Sequence, residues 1–236
     1  MTRALTVSWP DARPFVPRDG RPIRLLAVSD EVDQALEHAR NRESLGAIDL
    51  IVGCGDLSPS WLCFLGDAFR VPLVYVRGNH DRQGPLPTPA DIPPPATGLD
   101  RRSLPGIPML HLPWSGFRGG QAPRDESAAW MQAVRVGPRL LRGLVAPMLV
   151  VSHAPPRGAG DTPSDPYHLG FGAYRFLADR LRPPLWLHGH TNPAAQADWR
   201  DRIGSTTIAN VTGSVLVELV PPGGGGAAAE SGRRVA

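Results

Sequence analysis

The sequence predicts an α/β domain built on a largely parallel sheet, and three observations predict it. Short apolar runs alternate with amphipathic ones, the apolar runs show no period-two polarity, and most of them stop at an Asp, Asn or His. Strands buried on both faces read as continuous apolar runs, whereas a helix lying on a sheet shows an apolar stripe of period 3.6. Strand, helix, strand, helix, strand in succession requires right-handed crossovers and hence a parallel sheet.

Residues 1–22, rich in Pro, Arg and Asp, are expected as an N-terminal arm laid over the surface, with one domain occupying residues 23–220. Inside it IRLLAV, DLIVGC and PLVYV read as strands. Between them VDQALEHAR puts Val32, Ala35, Leu36 and Ala39 at helical spacing, as SWLCFLGDAFR does for Trp61, Leu62, Leu65 and Phe69. Residues 83–108 carry many prolines, among them Pro93 to Pro95, and are expected as a loop. MLHLPW is the next strand, and DESAAWMQAVRVGPRLLRGL a helix that Gly137 and Pro138 should break or kink. PMLVVSHAPP and PPLWLHGH follow as strands on either side of the helix GFGAYRFLADRLR. AAQADWR, TTIANV and VLVELV are expected as short strands of a second sheet, and the Gly/Ala-rich residues 221–236 as a disordered tail.

A chain of 236 residues suits one sizeable core better than two. All 25 basic residues are arginine, giving a net charge of +3 against 22 acidic residues. They are scattered along the chain, which argues against stable nucleic-acid binding. The two cysteines, Cys54 and Cys63, are too few for a disulfide framework and fit a reducing compartment. Without a signal-like segment, or an apolar run of about 18 residues, the expected location is the cytoplasm with no membrane contact. Nothing in the sequence specifies an oligomeric state.

The chemistry lies where the apolar runs end. RLLAVSD ends on Asp30, LIVGCGD on Asp56, LVYVRGNHD on Asn79, His80 and Asp81, LVVSH on His153, and PLWLHGH on His188 and His190. The carboxyl ends of parallel strands line one edge of the sheet, which is where open α/β sheets bind ligands. A glycine followed by Asp or Asn is ordinarily a turn, and one histidine at a strand end is ordinarily structural. Five strand ends carrying such groups together are not explained that way. Aspartates, an asparagine and histidines form an oxygen and nitrogen donor set suited to Mn²⁺, Fe²⁺, Zn²⁺ or Mg²⁺. So many donors suit more than one ion, and two ions about 3.5 to 4 Å apart clamp a phosphoryl group and generate hydroxide near neutral pH.

These residues resemble the calcineurin-like metallophosphoesterases. The matching pieces, in order, are SD at 29–30, GDL at 55–57, GNHD at 78–81, SHAPP at 152–156 and GHTN at 189–192. The resemblance implies a four-layer α/β/β/α sandwich with two divalent ions, Mn²⁺ by preference, at the sheet edge. It implies that Asp56 bridges them, that Asp30 and His190 hold the first, and that Asn79, His153 and His188 hold the second. His80 would contact the phosphate of a small phosphoester and protonate the leaving oxygen, oriented by Asp81, while a metal-bound hydroxide attacks phosphorus. A phosphodiester is favoured over a monoester because it needs less positive charge around phosphorus.

The family's first motif normally reads Asp, any residue, His, and here Asp30 and Glu31 are followed by Val32. Three readings stay open. Water takes the missing place and the first site is weak, typically by 10 to 100-fold; Glu31 or Asp33 swings in; or the protein is a catalytically weak relative acting as a binding scaffold. Retention of His80 speaks against the last. In DTPSDPYHLGF, residues 161–171, Asp161 and His168 are candidates to face substrate, while Asp165 could instead cap the following helix. His38 and His111 are expected to be structural or solvent-facing, and Arg77 and Arg157 are surface arginines within reach of a phosphate.

Overall fold

In chain order the strands are β1 (Arg3–Ser8), β2 (Ile23–Ser29), β3 (Leu50–Gly53), β4 (Leu73–Tyr75), β5 (Gly98–Asp100), β6 (Met109–Leu112), β7 (Leu149–Ser152), β8 (Leu185–His188), β9 (Arg200–Ile203), β10 (Thr206–Asn210) and β11 (Gly213–Val220). The helices are α1 (Ala39–Ser44), α2 (Pro59–Phe69), α3 (Glu126–Leu141) and α4 (Gly172–Leu181). The structure, a computed structural model, describes residues 2–81, 92–116, 125–141, 146–193 and 198–223. The tail expected from residue 221 lies outside the described residues from 224 onward.

Two sheets result, ordered β1-β11-β2-β3-β4 and β5-β6-β7-β8-β10-β9. Strands β2, β3 and β4 run parallel, as do β6, β7, β8 and β10, so the predicted crossovers are present in both sheets. Alternation along each strand makes the layers. Leu25 and Ala27 of β2 face the second sheet, in a core shared with Val151 of β7 and Leu187 of β8. Leu26 and Val28 face outward onto Leu62 and Leu65 of α2. On the far side Val150 and Trp186 meet Ala133 of α3 and Tyr174 of α4. The order is helices, sheet, sheet, helices, the four-layer α/β/β/α sandwich. Each such leucine or valine, fully buried, contributes roughly 1.5–3 kcal/mol.

Helix α2 starts where its sequence requires. The Ser58 hydroxyl accepts the Trp61 amide at 3.2 Å, Pro59 supplies the first helical residue, and Arg70 closes the helix with a left-handed φ of 55°.

Several expectations are corrected. The N-terminal segment expected as an arm carries β1, which pairs in parallel with β11, and its Trp9 and Phe15 are fully buried. The alternation of Leu5 and Val7 with Thr6 and Ser8 is the period-two signal of a half-buried edge strand, obscured by the surrounding Pro and Arg. VLVELV is not in the second sheet. As β11 it returns to the first, between β1 and β2. The proline-rich stretch contains the short β5. VDQALEHAR is split, because Asp33 caps a 3₁₀ turn over Gln34–Glu37 and His38 is extended before α1 begins. Helix α3 is not broken at Gly137 and Pro138, which were expected to break or kink it.

Candidate metal centre

Asp30, Asp56 and His190 each follow a strand and turn at once into the left-handed region, with φ of 58°, 57° and 68°. For residues other than glycine this conformation is costly, by about 1–3 kcal/mol, and is tolerated where the surroundings enforce it. Here it bends each chain away from its strand direction. The ends are laced together: the Asp30 amide and the Ser29 hydroxyl both donate to the Gly55 carbonyl at 3.1 Å.

The groups converge on His153, which is fully buried at the end of β7. Its Nδ1–H donates to the Cys54 carbonyl at 2.8 Å, which fixes the ring. Its Nε2 is then 2.8 Å from Asn79 Oδ1 and 3.2 Å from Asp56 Oδ2. Asp30, Asp56 and His153 each offer one ligand atom, all within 4.8 Å of one another. Two donors each about 2.1 Å from one cation and at right angles to each other stand about 3 Å apart. The residues therefore fit a divalent ion held by Asp30, Asp56, Asn79 and His153.

Burial works against charge on His153, but the hydrogen bond to Asp56 and the charges of Asp30 and Asp56 outweigh it and raise its pKa to about 9. Those carboxylates thus attract a positive charge to Nε2, and a metal ion would replace that proton. For Asp56, burial opposes ionisation, yet the contacts with His153 and the His80 amide hold its carboxyl below the usual range. Burial, then the nearby His153 charge, pushes His190 down to about 3.

Of the remaining predicted residues, His80 is exposed beside the centre, and its amide donates to Asp56 Oδ1 at 2.8 Å. Asp81, expected to orient the His80 ring, uses its Oδ2 differently: it accepts the amides of Gly78 at 2.7 Å and Asp56 at 3.0 Å, tying two strand-end loops together. His190 holds its ring tilted 5.0 Å from His153 and 4.7 Å from Trp114, and its Nε2 donates to the Tyr167 carbonyl at 2.7 Å. His188, the last residue of β8, is fully buried, within electrostatic reach of His153. Its Nδ1–H donates to the Gly189 carbonyl at 2.9 Å, and burial pushes its pKa down to about 4. Its Nε2, buried beside Gly160, has no hydrogen-bond partner among the described residues.

The calcineurin-like phosphoesterase family model matches residues 27–193, well over half of the chain. The chain belongs to the calcineurin-like phosphoesterase family. Family membership carries the general chemistry, metal-dependent hydrolysis of phosphoesters. Among curated proteins none matches. Among solved structures the chain is similar to TT1561 of Thermus thermophilus, with a TM-score of 0.52 and 14% identity over 81% of this chain and 90% of that one. It also matches GAP50, the anchor in the inner membrane complex of Plasmodium, at TM-score 0.48 and 14% identity over 80% of this chain and 71% of that one. No helix among the described residues is long and apolar enough to cross a membrane.

Around this phosphoesterase centre, His168 is close: its ring is 5.1 Å from His190, and its Nδ1 lies 2.5 Å from Asp165 Oδ2. Asp165 therefore positions an imidazole and does not cap α4, whose Ala173 amide is taken by Glu126 at 2.9 Å. Asp161, expected to face substrate, instead accepts the amides of Gly158 at 3.1 Å and Gly170 at 3.0 Å and shapes the loop. Arg157 is held by Glu126 at 2.9 Å. Sequence reasoning missed Trp114 and Thr212. Trp114 packs on His153, Phe171 and His190, and the Thr212 hydroxyl donates to Asp30 Oδ2 at 3.3 Å. Both follow strands, as the predicted ligands do, but neither is a ligand type.

Proposed function

We propose that this family member hydrolyses small phosphodiesters, with a divalent ion, Mn²⁺ by preference, held by Asp30, Asp56, Asn79 and His153. The convergence of Asn79 Oδ1 and Asp56 Oδ2 on His153 Nε2, at 2.8 and 3.2 Å, is the observation that carries the reading. A divalent ion bound there supplies Lewis acidity at a phosphoryl oxygen and lowers the pKa of water. The chain's own residues do the rest. The Cys54 carbonyl and Trp114 keep the His153 ring aimed at the site. His80, exposed beside Asp56, would give a proton to the departing oxygen, and the His168 imidazole, held by Asp165, would hydrogen-bond a phosphate oxygen. A diester phosphate carries one negative charge and so needs less positive charge around phosphorus than a monoester. The scattered arginines favour a small substrate over a long polyanion.

The test compares hydrolysis of bis(p-nitrophenyl) phosphate and of p-nitrophenyl phosphate in the presence of Mn²⁺. Wild type should prefer the diester, and His80→Ala should lower kcat about 100-fold, the ordinary value of a positioned proton donor. A wild type no faster than His80→Ala and Asn79→Ala with any of Mn²⁺, Fe²⁺, Zn²⁺ or Mg²⁺ would refute the proposal.

A further inference from the structure

We propose that the open edge of β1 pairs with β1 of a second copy of this chain, antiparallel and about a two-fold axis at Thr6, so that the first sheets of two protomers join into one.

Strand β1 is bonded on one side only, to β11. The Trp9 amide donates to the Val220 carbonyl at 2.8 Å, so by alternation Arg3, Leu5 and Val7 direct their main-chain groups to β11. The amides and carbonyls of Ala4, Thr6 and Ser8 then point away from the sheet, and no described strand other than β11 pairs with β1. Pro10, next in that series, has no N–H and ends the template.

An unpaired edge is ordinarily blunted by shortness, by charge or by a cover. The edge strands β4 and β5 are three residues each, and Tyr75 of β4 already accepts the Ala96 amide at 2.7 Å. Edge strand β9 carries Arg200, Asp201 and Arg202 among its four residues. By contrast β1 runs for six residues with one charge, Arg3, whose guanidinium is drawn off to the Thr212 carbonyl and lies 4.9 Å from the Trp199 ring. Its outer face is Ala4, Thr6 and Ser8, small and uncharged, the last two exposed.

The strand is also complementary to itself. With Thr6 opposite Thr6 of the second copy, Ala4 stands opposite Ser8 and Leu5 opposite Val7. Every outward amide and carbonyl from Ala4 to Ser8 then finds a partner, and no like charges face each other there. The groove beside this edge, about 630 Å³, is lined by Ala4–Ser8 and by both signs of charge, Arg182, Arg200 and Arg202 with Asp198 and Asp201. A two-fold axis sets that mixed rim against its own copy, where each sign meets the other; a rim built for an acidic or a basic peptide would carry one sign.

Sedimentation equilibrium and cysteine cross-linking of the full chain, the latter in a Cys63→Ser background, test the pairing. Wild type should dimerise in the micromolar range. Thr6→Lys sets two ammonium groups against each other at the axis, and Thr6→Pro removes an edge N–H without touching β11. Each should raise the dimer dissociation constant at least about tenfold with the circular dichroism spectrum unchanged. Thr6→Cys should form an intermolecular disulfide on oxidation, since residues paired in this way stand about 5.5 Å apart at Cα. Ala4→Cys alone should not, whereas Ala4→Cys mixed with Ser8→Cys should. If Thr6→Pro does not fold, Thr6→Lys and the cross-links decide. A wild type that stays monomeric throughout the micromolar range would overturn the proposal and leave the edge to some other strand. A dimer of unchanged affinity in Thr6→Lys, or one that does not cross-link through Thr6→Cys, would overturn it as well by placing the contact elsewhere.

Discussion

Asp33 accepts a hydrogen bond from Ser214 across the edge of the first sheet, from β11 to the turn that follows β2. The same carboxylate caps the next 3₁₀ turn through the Ala35 amide at 3.1 Å. A carboxylate so held is a structural cap and not a replacement metal ligand. Asp33→Ala should therefore cost about 1–2 kcal/mol in urea unfolding, the ordinary range for a lost cap, while Mn²⁺ affinity stays unchanged. A tenfold loss of Mn²⁺ affinity would instead identify Asp33 as the substitute for the missing histidine.

Gly78 sits where backbone passes between Asp56 and His153. A methyl group there would overlap the Asp56 carboxylate and stand 2.7 Å from His153 Cε1. Neither neighbour is a free side-chain end, since Asp56 is held by the His80 amide and His153 by the Cys54 carbonyl. Gly78→Ala should displace Asp56 and weaken Mn²⁺ binding by about 10 to 100-fold, with about 1–3 kcal/mol of overpacking visible in thermal unfolding. Isothermal titration of the variant checks the first effect, and unchanged affinity would show that the loop yields without moving Asp56.

The convergence of strand-end groups was legible in the sequence because chemistry there has a composition: Asp30, Asp56, Asn79 and His153 are polar groups at the ends of apolar runs. The parallel sheets were legible for the same reason. What composition does not carry is direction. Nothing in HGH says that a left-handed φ of 68° follows at His190 and brings its ring beside His153 and Trp114. Likewise Asp161 and Asp165 look alike in DTPSD, yet one binds loop amides and the other an imidazole, a difference set by where the loop closes. Strand β1 was missed because Leu5 and Val7 alone mark its buried face.

Trp114 contacts His153, His190 and Phe171 at ring separations of 5.9, 4.7 and 5.4 Å. It is nearly buried, so Trp114→Ala leaves a cavity under two imidazoles. The expected loss is about 3–5 kcal/mol of stability, the usual range for a large aromatic truncated in a core. Trp114→Phe keeps most of the packing and should recover the larger part of that loss in guanidinium unfolding. Equal stability of the two variants would mean that the ring area is not what supports the site.

His111 on β6 faces the layer between the sheets, fully buried, and neither ring nitrogen makes a hydrogen bond of good geometry among the described residues. Burial lowers its pKa below 6.5, against smaller opposing effects of the Asp100 charge and the Gly98 backbone. A histidine with a depressed folded pKa binds its proton more readily in the unfolded chain. Its contribution to stability is thus complete above the unfolded value near 6.5 and is lost as the pH falls below it. Buried His188 and His190 act in the same direction, and His153, with its raised pKa, in the opposite one. His111→Phe removes one titrating group while keeping an aromatic ring in the layer. The variant should lose less stability than wild type between about pH 6.5 and 5, a difference visible as a shallower fall of the urea midpoint with acidification. Parallel pH profiles for the two proteins would show that His111 takes up its proton equally in both states.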